Sequence, residues 1–141
     1  MPDEDASTQE KRPVILDANA LMMQFQYYLD LETELQRVIP GAYNIHVPQA
    51  IVDELEVLAE KNEGKTAEEA RLSIELAKTF HVVESDAKDG DTAVIQLAED
   101  LEGAVVVTND KLLRARLRAK GIPNVHMRSK AFLSVEGFPG F

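Results

Sequence analysis

Apolar residues fall into short continuous runs that alternate with longer amphipathic stretches. Val14–Leu16, Tyr43–Val47, His81–Val83, Ala104–Val107 and Asn124–Met127 read as strands, three of them as nearly unbroken apolar runs of the kind buried on both faces. Between them the apolar period changes to that of a helix. Residues 18–38 read as one helix ended by Pro40-Gly41, and 48–61 as another that opens on Pro48 with Ile51, Leu55 and Leu58 along one face. Thr66 is expected to cap a further helix carrying Ala70, Ile74 and Ala77. Asp91–Glu102 repeats Val94, Leu97, Ala98 and Leu101 at helical spacing, and Asp110–Lys120 is a helix stopped by Gly121. The order β-α-β-α-α-β-α-β-α-β predicts an α/β fold: three layers, α-β-α, around a central five-stranded parallel sheet.

Composition narrows this only a little. A chain of 141 residues, 45% hydrophobic, suits one domain with a real core. Residues 13–130 are expected to form that domain, with 1–12 as a disordered acidic lead-in and 131–141 as an irregular tail. With no cysteine, disulfides and thiolate zinc sites are excluded. No apolar run approaches the length of a membrane span, and the N-terminus lacks an apolar signal core, so a soluble cytoplasmic protein is the expectation. The formal net charge of −10 weighs against nucleic-acid binding at long range.

Four carboxylates change the picture, because they sit where strands hand over to helices. Asp17 closes the first strand, Asp110 follows Val105-Val106-Val107-Thr108-Asn109, Asp91 follows Gly90, and Glu54 lies one turn into the helix after Val47-Pro48. Acids at the carboxyl ends of parallel strands converge on one crevice. Carboxylates gathered there repel, and hard divalent cations prefer such oxygen ligands, so the pattern points to Mg²⁺ or Mn²⁺ and to phosphate chemistry. Each aspartate also suits a helix N-cap, and each glutamate a solvated flank. Spacing alone does not choose between Glu54 and Glu56, which flank the two edges of the same apolar face. Asn19 and Thr108 could orient the acids beside them, although local turn chemistry also accounts for either.

The densest positive charge lies on the helix that begins at Asp110. Lys111, Arg114 and Arg118 recur at i, i+3 and i+7 as one stripe, with Arg116 and Lys120 on another flank. A solvated face is the ordinary meaning of such a stripe, but its start beside an acid of the crevice suits contact with a phosphate backbone. Gly64-Lys65-Thr66 is not a phosphate loop, since Ala59 stands where its first glycine belongs. His46, His81 and His126 lie within strands, far from partner spacing, and read as structural.

Together these motifs resemble the PIN-domain nucleases, within them the small archaeal single-domain group similar to VapC-type toxins and to ribosomal-RNA-processing PIN proteins. The resemblance rests on Val14-Ile15-Leu16-Asp17-Ala18-Asn19, Val47-Pro48-Gln49-Ala50-Ile51-Val52-Asp53-Glu54-Leu55, Asp91-Thr92-Ala93-Val94-Ile95 and Val106-Val107-Thr108-Asn109-Asp110. It covers residues 13–128, ending in a match to the family's last strand over Lys120–Arg128. It favours Glu54 over Glu56, because the family's second acid precedes the leucine. It implies Mg²⁺ or Mn²⁺ held by Asp17, Asp91 and Asp110, with Glu54 completing the catalytic set, and endoribonuclease activity on single-stranded or structured RNA. It also implies homodimers and, in the toxin branch, a partner antitoxin. The places where many relatives carry further acids hold Thr92 and Leu112, which weighs against a tightly bound second metal. The alternatives are a haloacid-dehalogenase-like phosphatase or phosphotransferase, a receiver domain, and a non-catalytic RNA-binding assembly module. Asn19 stands where a haloacid dehalogenase needs a second aspartate.

Overall fold

A computed structural model describes residues 11–138. The strands β1 (Arg12–Leu16), β2 (Tyr43–Pro48), β3 (His81–Val83), β4 (Val105–Val107), β5 (Asn124–Arg128) and β6 (Phe132–Glu136) form one sheet in the order β3-β2-β1-β4-β5-β6. The first five run parallel, and β6 returns antiparallel to β5. Six helices flank the sheet among the described residues: α1 (Ala18–Gln26), α2 (Leu31–Val38), α3 (Gln49–Lys61), α4 (Gly64–Ala77), α5 (Gly90–Asp100) and α6 (Lys111–Ala119). The three-layer α-β-α expectation holds. The core centres on β1 and β4, where Val14, Ile15, Leu16, Val105, Val106 and Val107 are fully buried, as their unbroken apolar runs require.

The chain leaves β1 towards β2 and β3 on one side and returns to β4 and β5 on the other. The order therefore reverses between β1 and β4, and the carboxyl ends of these two strands border the crevice of the fold. Asp17 and Asp110 follow those two strands.

Three elements differ from expectation, the least of them α4, which starts at Gly64 with Glu63 rather than Thr66 in the capping position. The helix expected over 18–38 is broken into α1 and α2: Tyr28 takes a left-handed φ of 55°, and Asp30 opens α2 by accepting from the Thr33 amide at 3.3 Å and its hydroxyl at 2.8 Å. The tail expected to be irregular carries β6, with Phe132↔Arg128 and Glu136↔Asn124 as the ends of its register. This makes the sheet six-stranded rather than five-stranded. Residues 1–10 of the expected lead-in and 139–141 of the tail lie outside the described residues, and Arg12 already belongs to β1. No helix among the described residues is long and apolar enough to cross a membrane.

Candidate active site

Asp17 and Asp110 are both caps and crevice acids. Asp17 Oδ1 accepts from the Ala20 amide at 2.9 Å, and Asp110 Oδ1 accepts from the Leu113 amide at 3.0 Å. Each cap engages one carboxylate oxygen and fixes the direction of the other. Asp91 does not cap. That role falls to Asp89, which accepts from the Thr92 amide at 2.8 Å and the Thr92 hydroxyl at 3.0 Å. Asp91 is thereby released into the first turn of α5.

Glu54 reaches across from α3 to the start of α5, where its Oε2 accepts from the Gly90 amide at 3.0 Å. Glu56 is exposed on the other edge of α3. Gly90 is buried and leaves room for this contact. A Cβ there would lie 2.7 Å from both Glu54 oxygens and 2.7 Å from Ile51 Cδ1.

The carboxylates are linked through Asp91, whose charge bears on both Asp17 and Glu54. Burial, opposed by hydrogen bonds from Thr108 and Ala20 and reinforced by the charges of Asp91 and Asp110, pushes Asp17 up to about 7. Burial and the Asp110 charge also raise Asp91, against the pull of Arg116. Glu54 is raised by burial and by Asp91 and Asp89, although the Gly90 hydrogen bond opposes this. None of the four forms an ion pair with a lysine or arginine among the described residues. Asp17 is only 4% exposed, so its charge lacks both solvent and a protein cation.

These donors suit a hard divalent ion: oxygen ligands only, like charges within reach of one another, and no ion pair with a lysine or arginine among the described residues. They are not a closed ligand set, because among the described residues no three acid or histidine side chains are gathered closely enough to hold an ion by themselves.

Asn19 and Thr108 organise the exit of β4. Asn19 Oδ1 accepts from the Asn109 amide at 2.9 Å, while the Thr108 hydroxyl accepts from the Asp110 amide at 3.0 Å and also hydrogen-bonds to Asp17. Asn109, which sequence reasoning passed over, ties this loop to β5 by accepting from the Met127 amide at 2.8 Å. Asn109 is one of two asparagines, one per strand exit, that clamp adjacent strands; only its neighbours in sequence hinted at it.

The basic stripe divides. Lys111 is exposed at the start of α6. Arg114 turns inward, with its Nε donating to Asn124 Oδ1 at 3.2 Å and one terminal nitrogen 3.3 Å from Glu136 Oε1. Arg118 also meets Glu136, at 3.3 Å. Arg114 is therefore not presented as a phosphate contact: its guanidinium fastens α6 to β5 and β6. Arg116, on the other flank, is the arginine whose charge reaches Asp91 and Asp89. The histidines are held in the sheet, His46 stacked on His81 with centroids 5.3 Å apart and His126 beside Arg114.

With this geometry in hand, a family described as PIN like domain matches residues 14–130. The chain belongs to the PIN-like domain family. Ribonuclease VapC9 of Archaeoglobus fulgidus is 30% identical over 125 residues, which are 89% of this chain and 90% of that one. Ribonuclease VapC4 of Methanocaldococcus jannaschii is 28% identical over 126 residues, 88% and 96% of the two chains. The solved PIN domain endonuclease Utp24 shares the fold, with a TM-score of 0.73 over 89% of this chain and 92% of that one at 24% identity. The family displaces the haloacid-dehalogenase and receiver alternatives.

Gly90 offers a test of the Glu54 contact. Gly90→Ala is expected to push the Glu54 carboxylate off its amide while the fold survives, because the atoms in the way are the ends of flexible side chains. Stability should move by only about 1 kcal/mol, since overpacking opposes the better helix propensity of alanine. Any activity that needs Glu54 should fall as far as in Glu54→Gln. Thermal melting and the activity assay below, run on both variants, check this; full activity in Gly90→Ala would separate the contact from function.

Proposed function

We propose that this chain is a metal-dependent endoribonuclease that hydrolyses phosphodiester bonds in single-stranded or structured RNA. The observation that carries the reading is the placement of Asp17 and Asp110 at the exits of β1 and β4, beside the reversal of the sheet, with Asp91 within electrostatic reach of both and Glu54 held against the start of the Asp91 helix. The ribonuclease names of two relatives matched over most of both chains support it.

Asp17, Asp91 and Asp110 would hold a Mg²⁺ or Mn²⁺ ion, with water completing its ligands. Such an ion acidifies bound water and offsets charge that develops on a phosphoryl group. The chain's own contribution is positional. The caps at Ala20 and Leu113 fix two carboxylates, and Thr108 and Asn19 hold the loop between them. Glu54, anchored through one oxygen on Gly90, keeps the other for aligning a water and accepting its proton. Lys111 and Arg116 would be the cations that meet the RNA backbone. A toxin role with a short antitoxin, and a homodimeric state, extend the VapC likeness; an RNA-processing role is the other outcome.

The test is cleavage of a mixed RNA pool. Cutting is expected with Mn²⁺ or Mg²⁺ and not in EDTA. Asp110→Asn and Glu54→Gln should each reduce it by roughly a hundred-fold or more, the scale of general acid–base and charge-stabilising groups. Glu56→Gln should keep most of it. Metal-independent cutting, or a loss confined to Glu56→Gln, would overturn the assignment; RNA binding without cutting would favour the non-catalytic module.

A further inference from the structure

Among the described residues, three non-glycine residues take a left-handed backbone: Tyr28 at φ 55°, Ser129 at 50° and Lys130 at 60°. Such conformations are strained for residues with side chains and persist where the surroundings impose them, often at functional sites. Tyr28 is about a hundred positions from the adjacent pair Ser129 and Lys130, yet the two segments meet in space, since Lys130 Nζ lies 5.9 Å from the centroid of the Tyr27 ring. The end of α1 and the β5–β6 turn thus form one structure. Tyr28 is 88% exposed, the most exposed large hydrophobic side chain among the described residues.

The location is as informative as the strain. Val107 pairs with Val125, and Asn109 binds the Met127 amide, so the β5–β6 turn stands at the same edge of the sheet as Asp110. Arg128 and Lys130 are exposed, and neither enters an ion pair among the described residues. Two exposed cations without a carboxylate partner among the described residues thus share this place with the exposed rings of Tyr27 and Tyr28.

We propose that Tyr27, Tyr28, Arg128 and Lys130 form a single-strand RNA subsite, with a base stacking on tyrosine and the backbone held by the two cations, that leads the strand to the acid crevice. This rests on the ribonuclease reading above. Aromatic faces with flanking cations bind single strands with little regard to sequence, since every base has a π-face. A protein-docking face would need a continuous apolar area, whereas here the rings are interleaved with charge.

The experiment measures RNA affinity by anisotropy in an Asp110→Asn background with Mn²⁺ present, so that binding is read without cutting. The probe is a short mixed-sequence single-stranded RNA, paired with an abasic ribose-phosphate strand of the same length. Tyr28→Ala should weaken RNA binding roughly ten-fold and leave abasic binding unchanged, whereas Tyr28→Phe should restore RNA binding. The double change Arg128→Gln and Lys130→Gln should weaken both probes and flatten the salt dependence. Unaltered RNA affinity in Tyr28→Ala overturns the subsite. So does a change from dimer to monomer by light scattering with per-chain affinity kept, which would make the patch a protein contact. Otherwise wild-type chain in Mn²⁺ decides which idea has failed: if it cuts RNA while Tyr28→Ala binds normally, only the subsite falls; if it neither binds nor cuts, the ribonuclease reading falls and the subsite with it.

Discussion

In EDTA at pH 8, Asp17→Asn is expected to be more stable than wild type by up to about 4 kcal/mol, of the order of 10 °C in melting temperature. The wild-type carboxyl is pushed from 3.8 to about 7, first by burial and then by Asp91 and Asp110. A folded-state value above the unfolded one means the native protein binds more protons between these limits. Wild-type stability should therefore fall as pH rises from about 4 to about 7 and level off above, as linkage requires. Asparagine keeps the cap on the Ala20 amide and carries no charge, so this part of the slope should vanish in the variant. Divalent ion should narrow this gap. A ligand that binds only the native state stabilises it by about 2.7 kcal/mol at a hundred times its Kd. That gain should be large in wild type and small in Asp17→Asn. Chemical denaturation across pH, with and without Mn²⁺, measures both effects. Equal metal-induced shifts in the two proteins, or a wild-type slope that survives the substitution, would sink the idea of one shared acidic site.

Much of the fold was legible because burial on both faces leaves a strong trace. Val14–Leu16 and Val105–Val107 could hardly be anything but central strands, and the acids after them fall at the sheet reversal for the same reason. What the apolar period does not record is a change of direction without glycine or proline. The α1–α2 break at Tyr28 is such a case. Its signal was the Asp30-x-x-Thr33 pair, a capping spacing hidden inside a continuous amphipathic pattern. The β5–β6 turn is a second case, since Ser129 and Lys130 take left-handed conformations that usually call for glycine or asparagine. Missing β6 also hid Glu136, the partner that turns Arg114 inward. The same spacing logic would have moved the α5 cap from Asp91 to Asp89, three residues before Thr92. At the site itself, spacing left Glu54 and Glu56 equal; the approach of Gly90, a contact across 36 positions, is what distinguishes them in space.

Arg114→Gln is expected to cost about 2 kcal/mol of stability and to leave the salt dependence of RNA binding unchanged. Arg114 is 19% exposed at its side chain and donates to Asn124, which is fully buried. Removing it leaves the Asn124 carbonyl without that donor and Glu136 with one cation fewer, and a buried polar group stripped of its partner costs about 1–3 kcal/mol. Arg118, 48% exposed, makes a surface pair with Glu136, so Arg118→Gln should cost less than about 1 kcal/mol. The acid limb of the stability curve separates the two further. Glu136 is lowered to about 2 by its hydrogen bond from Asn124 and then by Arg114 and Arg118. A depressed folded-state value contributes stability that is present above about 4.5, the ordinary glutamate value, and lost as pH falls towards 2. Arg114→Gln should flatten that loss. Lys111→Gln should do the opposite of Arg114→Gln: near-normal stability, with the salt slope of RNA binding reduced by about one unit, as for a single phosphate contact. Urea titrations at several pH values and filter binding across salt check both variants. Normal stability with a reduced salt slope in Arg114→Gln would release the arginine from the sheet and place it on the RNA backbone with Lys111.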